Sequence, residues 1–70
     1  MNNGIAKPLK TAMLYKGIKQ KEIAEQLGIS KQTLYNCLSN DNLTFKRACD
    51  IADLLQCDIV LIDRETGKIY

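Results

Sequence analysis

Residues Gln20–Ser39, QKEIAEQLGISKQTLYNCLS, contain two short amphipathic segments that meet at Gly28. In the first segment Ile23, Ala24 and Leu27 recur three and four residues apart, which is the spacing of one helical face. Gly28 follows immediately, where the end of a helix often needs a residue that tolerates a positive φ. The pattern predicts a helix that ends in a tight glycine turn.

The second segment begins after Ser30, a residue type that is favoured at the N-cap of a helix. Its buried stripe is predicted to contain Leu34, Cys37 and Leu38, whereas its opposite face is polar. A helix, a glycine turn and a second helix with a polar outer face form a helix-turn-helix unit. An ordinary αα-hairpin of a small helical protein would share the apolar spacing.

The joint spacing of these residues resembles the DNA-binding helix-turn-helix of phage Cro and repressor proteins, the XRE-like regulators. The resemblance is strongest over residues 18–39 and extends more loosely over residues 7–56. It implies a mainly α fold, a four- to five-helix Cro/repressor-like bundle with a C-terminal two-stranded β-hairpin. We therefore expect one domain over residues 1–70, with the bundle at 7–56, the helix-turn-helix at 20–39 and the hairpin at 57–70.

The same resemblance implies that the third helix enters the major groove of double-stranded DNA. Glutamine and asparagine side chains can bond adenine bidentately, and lysine can reach guanine, so the polar face suits base reading. The matching positions are Lys31, Gln32 and Asn36, with Thr33 and Tyr35 as second candidates. These five residues are the predicted base-reading set.

A second group of residues is expected to hold the DNA backbone. Gln20 matches a position that braces a phosphate in the family, and lysine side chains and helix N-termini attract phosphates in general. The predicted phosphate-binding residues are Lys19, Gln20, Lys21, Ser30, Thr44, Lys46 and Arg47. Asp41 lies where several relatives have basic residues, so we expect it to sit near the DNA backbone and repel it.

Composition is that of one small soluble domain. The chain has 70 residues, of which 46% are hydrophobic and 26% charged. No apolar run approaches the roughly 18 residues that span a bilayer, and the N-terminus lacks the apolar core of a signal peptide. These features predict a cytoplasmic protein that does not contact a membrane.

The charge is distributed unevenly along the chain. Residues 1–47 contain eight Lys or Arg and three acidic residues, a net charge of +5. Residues 48–70 contain two basic and five acidic residues, a net charge of −3. The basic half coincides with the helix-turn-helix, as an anionic partner requires, although a solvated charged face would look the same.

The sequence offers no catalytic or metal-binding pattern. Cys37, Cys49 and Cys57 form no CxxC pair, and the chain has no histidine. Free cysteines near an apolar face behave as small hydrophobic residues, so we expect them to fill the core. The sequence therefore predicts neither an enzyme nor a cofactor, a metal or a small-molecule ligand.

The remaining helices are predicted on either side of the central unit. Helix 1 is expected to begin near Pro8 and to end near Lys16 at Gly17. Thr44 is the predicted cap of helix 4, which runs to about Leu55. Its expected inward residues are Phe45, Ala48, Cys49, Ala52 and Leu55, with Ile51 assigned to the core and Leu54 left open.

The tail changes its pattern at residues 58–63, DIVLID, a β-branched run that predicts a short strand. Residues 64–67 are expected to turn and residues 68–70 to return as a second strand. A lone hairpin with two apolar faces is unstable in water. Small Cro-like proteins dimerise through such a hairpin, and the resemblance therefore implies a homodimer through the strands. The predicted dimerisation residues are Ile59, Val60, Leu61 and Ile62. The alternative is a tail that packs on its own helices.

Two functions remain open from the sequence. The first is a sequence-specific DNA-binding regulator, a repressor of phage or mobile-element type that occludes an operator. The second is a protein-interaction module, such as an antitoxin, an anti-repressor or an adaptor, that keeps the helix-turn-helix fold. The acidic second half of the chain and the net charge of only +2 keep this second function open.

Overall fold

The protein is described by a computed structural model that covers residues 4–70. The described chain contains four helices, α1 (Ala6–Lys16), α2 (Gln20–Leu27), α3 (Lys31–Ser39) and α4 (Phe45–Leu54). Residues 1–3 of the predicted domain lie outside this description. Among residues 4–70, no helix combines the length and the apolar character needed to cross a membrane.

Glycine turns end the first two helices, as predicted. Gly17 and Gly28 have left-handed backbones with φ of 70° and 73°. After each glycine the next N–H reaches back into the helix, from Ile18 to Met13 O at 2.9 Å and from Ile29 to Ala24 O at 3.0 Å. This arrangement satisfies carbonyl groups that a helix end leaves unpaired and reverses the chain direction within a few residues.

Side chains cap the N-termini of the last two helices. Ser30 Oγ accepts the N–H of Thr33, and Thr44 Oγ1 accepts the N–H of Arg47. Lys19 precedes α2, and its side chain has no acceptor atom. Instead, the Glu22 carboxylate accepts the backbone N–H of Lys19 at 2.9 Å, which is half of a capping box.

The core lies where the four helices meet. α2 packs on α3, α1 packs on α3 and α4, and α2 also contacts α4. The largest fully buried side chains are Ile23, Leu34, Leu38, Ile51 and Leu55. Ile51 therefore belongs to the core as predicted, and Leu54 is half-buried against it.

Phe45 is exposed, and its predicted inward orientation is wrong. Its side chain is 73% exposed, whereas Ala48, Ile51 and Ala52 on the same helix are buried. Phe45 is the first residue after the Thr44 cap. Helical periodicity indicates which side of a helix faces inward, but it does not show where along the axis the core ends.

The predicted C-terminal β-hairpin is also wrong, because residues 57–70 form no strand. Their strand pairing is one isolated antiparallel bridge between Ile62 and Ile69. Val60, Leu61 and Ile62 are 47%, 72% and 59% exposed, and Ile59 is half-buried against the helical core. The described fold is helical, and the predicted dimerisation through strand residues Ile59, Val60, Leu61 and Ile62 has no strand to support it.

Local hydrogen bonds at Asp63 hold the tail in a turn beside its one bridge, from Ile62 to Ile69. The Asp63 carboxylate accepts the N–H groups of Glu65 and Thr66 and the hydroxyl of Tyr70. These donors, the N–H of Glu65 first, hold the pKa of Asp63 below its ordinary value. The turn is thus stabilised by one side chain rather than by a strand ladder.

Asp41 is hydrogen-bonded to the start of α1, and its expected position near a DNA backbone stays a prediction. Its Oδ1 accepts the N–H of Ala6 at 3.1 Å, across 35 positions of sequence. A Cβ atom on Gly4 would overlap the Asp41 carboxylate, so glycine at this position permits the close approach. The carboxylate satisfies an unpaired helix donor and lies at the positive end of the α1 dipole.

Replacing Asp41 by alanine should lower the free energy of unfolding by about 0.5–2 kcal/mol, the usual cost of losing a helix cap. Asp41→Asn should retain most of the stability, because its amide oxygen is still an acceptor. Since Asp41 has φ of 52°, Gln56→Ala at φ of 57° is a matched control for the left-handed backbone. Urea unfolding measures all three variants, and equal losses in Asp41→Ala and Asp41→Asn would contradict the capping role.

Candidate nucleic-acid interface

The outer surface of α3 consists of exposed polar and aromatic side chains. Leu34 and Leu38 are 0% and 2% exposed, so their burial sets the rotation of the helix about its axis. This rotation leaves all five predicted base-reading residues exposed, namely Lys31, Gln32, Thr33, Tyr35 and Asn36. The surface presents amide, ammonium and hydroxyl groups that can meet the edges of DNA bases.

Two pairs of polar side chains are already hydrogen-bonded on this surface. Gln32 Nε2 donates to Asn36 Oδ1 at 3.0 Å. The hydroxyl groups of Ser30 and Thr33 lie 2.8 Å apart, and Ser30 Oγ also accepts the N–H of Thr33. Ser30 and Thr33 are therefore engaged in capping α3, whereas Gln32 and Asn36 form a pair on its exposed side.

Beside α3, the end of α1 and the start of α2 enclose an open concavity of about 690 Å³, here called the lysine groove. Its basic and polar lining residues come from all three helices, and they include residues predicted for both bases and phosphates. These residues are Lys10, Lys19, Gln20, Lys21, Lys31 and Tyr35. The fold thus brings two separately predicted sets into one surface.

The charged residues that line the lysine groove are all lysines, while Glu22, outside the lining, accepts the N–H of Lys19. Four lysines line it, and no acidic side chain is among its lining residues. Met13, Leu14 and Ile18 supply its apolar floor. Clustered charges of one sign in a concave surface raise the local concentration of ligands of the opposite charge, so the groove suits a polyanion.

Lys10 is a candidate functional residue that the sequence analysis missed. It lies on the exposed side of α1, where its position in the sequence suggests only a solvated lysine. The α1–α3 packing brings it into the same groove as Lys31, 21 positions later. No local pattern contains that relation, because it depends on how two helices cross.

The predicted phosphate-binding residues at the start of α4 lie outside the lysine groove. The Thr44 hydroxyl accepts the N–H of Arg47, and Lys46 Nζ lies 3.2 Å from Asp50 Oδ2. Arg47 is half-buried. An exposed ion pair is weak, so Lys46 can exchange Asp50 for another anion, but its charge is partly compensated in the free protein.

Other kinds of site have little support in the described part of the chain. Residues 4–70 contain no cluster of three or more potential metal ligands. The three cysteines are free thiols, and each is half-buried rather than fully enclosed. The polar surface of α3 and the adjoining lysine groove are the candidate site, because they present exposed polar and basic side chains side by side.

Comparison with known proteins gives one match. A protein-family model described as Helix-turn-helix matches residues 9–62, a span that contains α2, α3 and α4 and most of α1. No curated protein and no solved structure matches the chain. The matched span covers well over half of the sequence and includes every residue of the predicted base-reading set.

Proposed function

Since this chain belongs to the XRE-like helix-turn-helix family of DNA-binding transcriptional regulators, we propose that it is a sequence-specific repressor that reads the major groove with α3. The observation that carries this proposal is the exposed polar face of α3 beside the lysine groove. A major groove about 12 Å wide accepts one α-helix. The adjoining lysines then meet the phosphates at the edge of the groove.

In this proposal the exposed polar face of α3 contacts the bases. Lys31 can donate to guanine O6 and N7, and the amides of Gln32 and Asn36 can meet adenine. Tyr35 is 51% exposed, and it can contact a thymine methyl group or a phosphate. Discrimination between bases therefore depends on these side chains rather than on the charge of the groove.

Affinity is assigned to the lysine groove and to the start of α2. Lys19, Lys21 and Lys10 are exposed cations, and Gln20 is half-buried at the first position of the helix. The N-terminus of a helix carries partial positive charge and unpaired N–H groups, which favour a phosphate. A chain bound in this way would block other proteins from the same stretch of DNA, which is the proposed mode of repression.

Selection of bound sequences from random double-stranded DNA tests the proposal. We expect a shared short motif among the bound duplexes, because α3 would discriminate among base pairs. An inverted repeat in the selected sequences would report that two chains bind side by side. If the bound fraction keeps a random sequence, the chain does not read DNA. Absence of binding even at low salt would favour the protein-interaction function instead.

A salt titration separates phosphate contacts from base contacts. Replacing Lys21 by glutamine should weaken binding to all sequences and reduce the slope of log K against log salt by about 1. Lys68→Gln is the matched control, because Lys68 lies in the tail with its Nζ 5.3 Å from the centre of the Tyr70 ring. An unchanged slope in Lys21→Gln, or an equal change in Lys68→Gln, would remove the lysine groove from the interface.

A further inference from the structure

We infer that Gln32 and Asn36 work as one reader of an adenine base, in which Gln32 contacts the base and Asn36 holds the Gln32 amide in position. This inference rests on the proposed DNA-binding function and specifies a base that the site recognises. The observation behind it is the hydrogen bond from Gln32 Nε2 to Asn36 Oδ1 at 3.0 Å.

The two side chains are placed to cooperate by the helix itself. They are four positions apart on α3, so they lie next to each other on one face. Both are exposed, and the buried Leu34 lies on the opposite side of the helix. The pair therefore stands on the surface that would enter the major groove.

The chemistry of the amide explains why this bond leaves Gln32 ready for adenine. A glutamine amide has two N–H donors and a carbonyl oxygen acceptor. One N–H is given to Asn36, which leaves the second N–H and the carbonyl oxygen. Adenine presents an acceptor at N7 and a donor at N6 in the major groove, and these two remaining groups match them.

The bond couples the orientation of the Gln32 amide to that of the Asn36 amide. If the Gln32 amide alone rotated by half a turn, its carbonyl oxygen would face Asn36 Oδ1, and two acceptors would repel each other, so the reverse arrangement requires both amides to turn together. A free glutamine side chain must give up several rotamers when it binds a base. Holding the amide beforehand reduces that loss, which is the general benefit of a preorganised site.

In the orientation observed, with Gln32 Nε2 donating to Asn36, the arrangement disfavours the other purine. Guanine offers two acceptors, O6 and N7, so the Gln32 carbonyl oxygen would face O6 without a hydrogen between them. Asn36 acts as a positioning residue for this base, because its role is exerted through Gln32.

The test starts from a duplex that the wild-type chain selects and from the adenine in it that the Gln32→Ala variant no longer recognises. Two further duplexes differ from this one only at that base. One duplex carries 7-deazaadenine, which lacks the N7 acceptor, and the other carries guanine. We expect the wild-type chain to prefer adenine over 7-deazaadenine by about tenfold, as loss of half of a bidentate contact implies. Gln32→Ala should show no such preference.

The Asn36 variants distinguish positioning from simple contact. Asn36→Ala should reduce the adenine preference several-fold, because Gln32 loses its brace. Asn36→Asp keeps an oxygen acceptor for Gln32, so it should retain the preference ratio even though its negative charge weakens binding to every duplex. Lys21→Gln is the matched control, which should lower affinity uniformly and leave the ratio unchanged.

The outcomes separate this inference from the function on which it rests. If Asn36→Ala keeps the full adenine preference that Gln32→Ala loses, the pairing has no role and the DNA-binding function stands. Suppose that the wild-type chain selects a motif and that the Gln32→Ala variant still requires every adenine in it. The assignment of an adenine to Gln32 is then overturned. If the wild-type chain selects no motif at all, both the function and the paired reader are overturned.

Discussion

Replacing Leu34 by alanine should leave the chain with little or no net stability. The Leu34 side chain, on α3, is 0% exposed. It belongs to the same hydrophobic core as the buried residues of α2. Leu→Ala substitutions in a core cost about 2–5 kcal/mol, through lost burial and the cavity that remains. A domain of this size has only about 3–5 kcal/mol of net stability, so this single loss approaches the total.

Circular dichroism during urea unfolding measures this prediction. Leu14→Ala is the matched control, because it makes the same chemical change on a side chain that is 84% exposed. The control should change the free energy of unfolding by less than about 0.5 kcal/mol. Similar unfolding curves for Leu34→Ala and Leu14→Ala would mean that Leu34 is not a central core residue.

Ala24→Leu should destabilise the protein by about 1–3 kcal/mol, the usual cost of overpacking a core. Ala24 is 2% exposed on α2, and its carbonyl oxygen accepts the N–H of Ile29 in the glycine turn. A small side chain at this point allows α2 and α3 to approach closely. A leucine would have to separate the helices or adopt a strained rotamer.

Glu25→Leu is the control for Ala24→Leu, because it introduces the same side chain at the next, exposed position of α2. Its midpoint of thermal unfolding should stay close to that of the wild type, whereas that of Ala24→Leu should fall by several degrees. An unchanged midpoint in Ala24→Leu would show that the α2–α3 contact can accommodate a leucine and that the two helices do not need a small residue there.

The candidate site was predictable where it depends on local chemistry. The predicted base-reading residues are exposed because Leu34 and Leu38 define the buried side of α3, and both are evident from spacing alone. The role of each polar residue was less predictable. Ser30 and Thr33 cap the helix together, and the bond between Gln32 and Asn36 requires a particular rotamer of each side chain.

The features of the site that the sequence did not predict involve residues far apart in sequence. Lys10 joins the groove through the packing of α1 on α3. Asp41 accepts the N–H of Ala6 across 35 positions. Contacts between residues so far apart in sequence produce no periodic pattern in the sequence. They are therefore seen only in the tertiary structure.

The sequence by itself determined the four helices, the two glycine turns and the polar face of α3. These features arise from interactions within about one or two helical turns, such as caps, left-handed glycines and apolar spacing. The tertiary structure decided that Phe45 is exposed and that the tail has a single bridge instead of a hairpin. Those outcomes depend on where the core ends and on which parts of the fold can pack against an apolar side chain. Neither can be read from the residues that are adjacent in sequence.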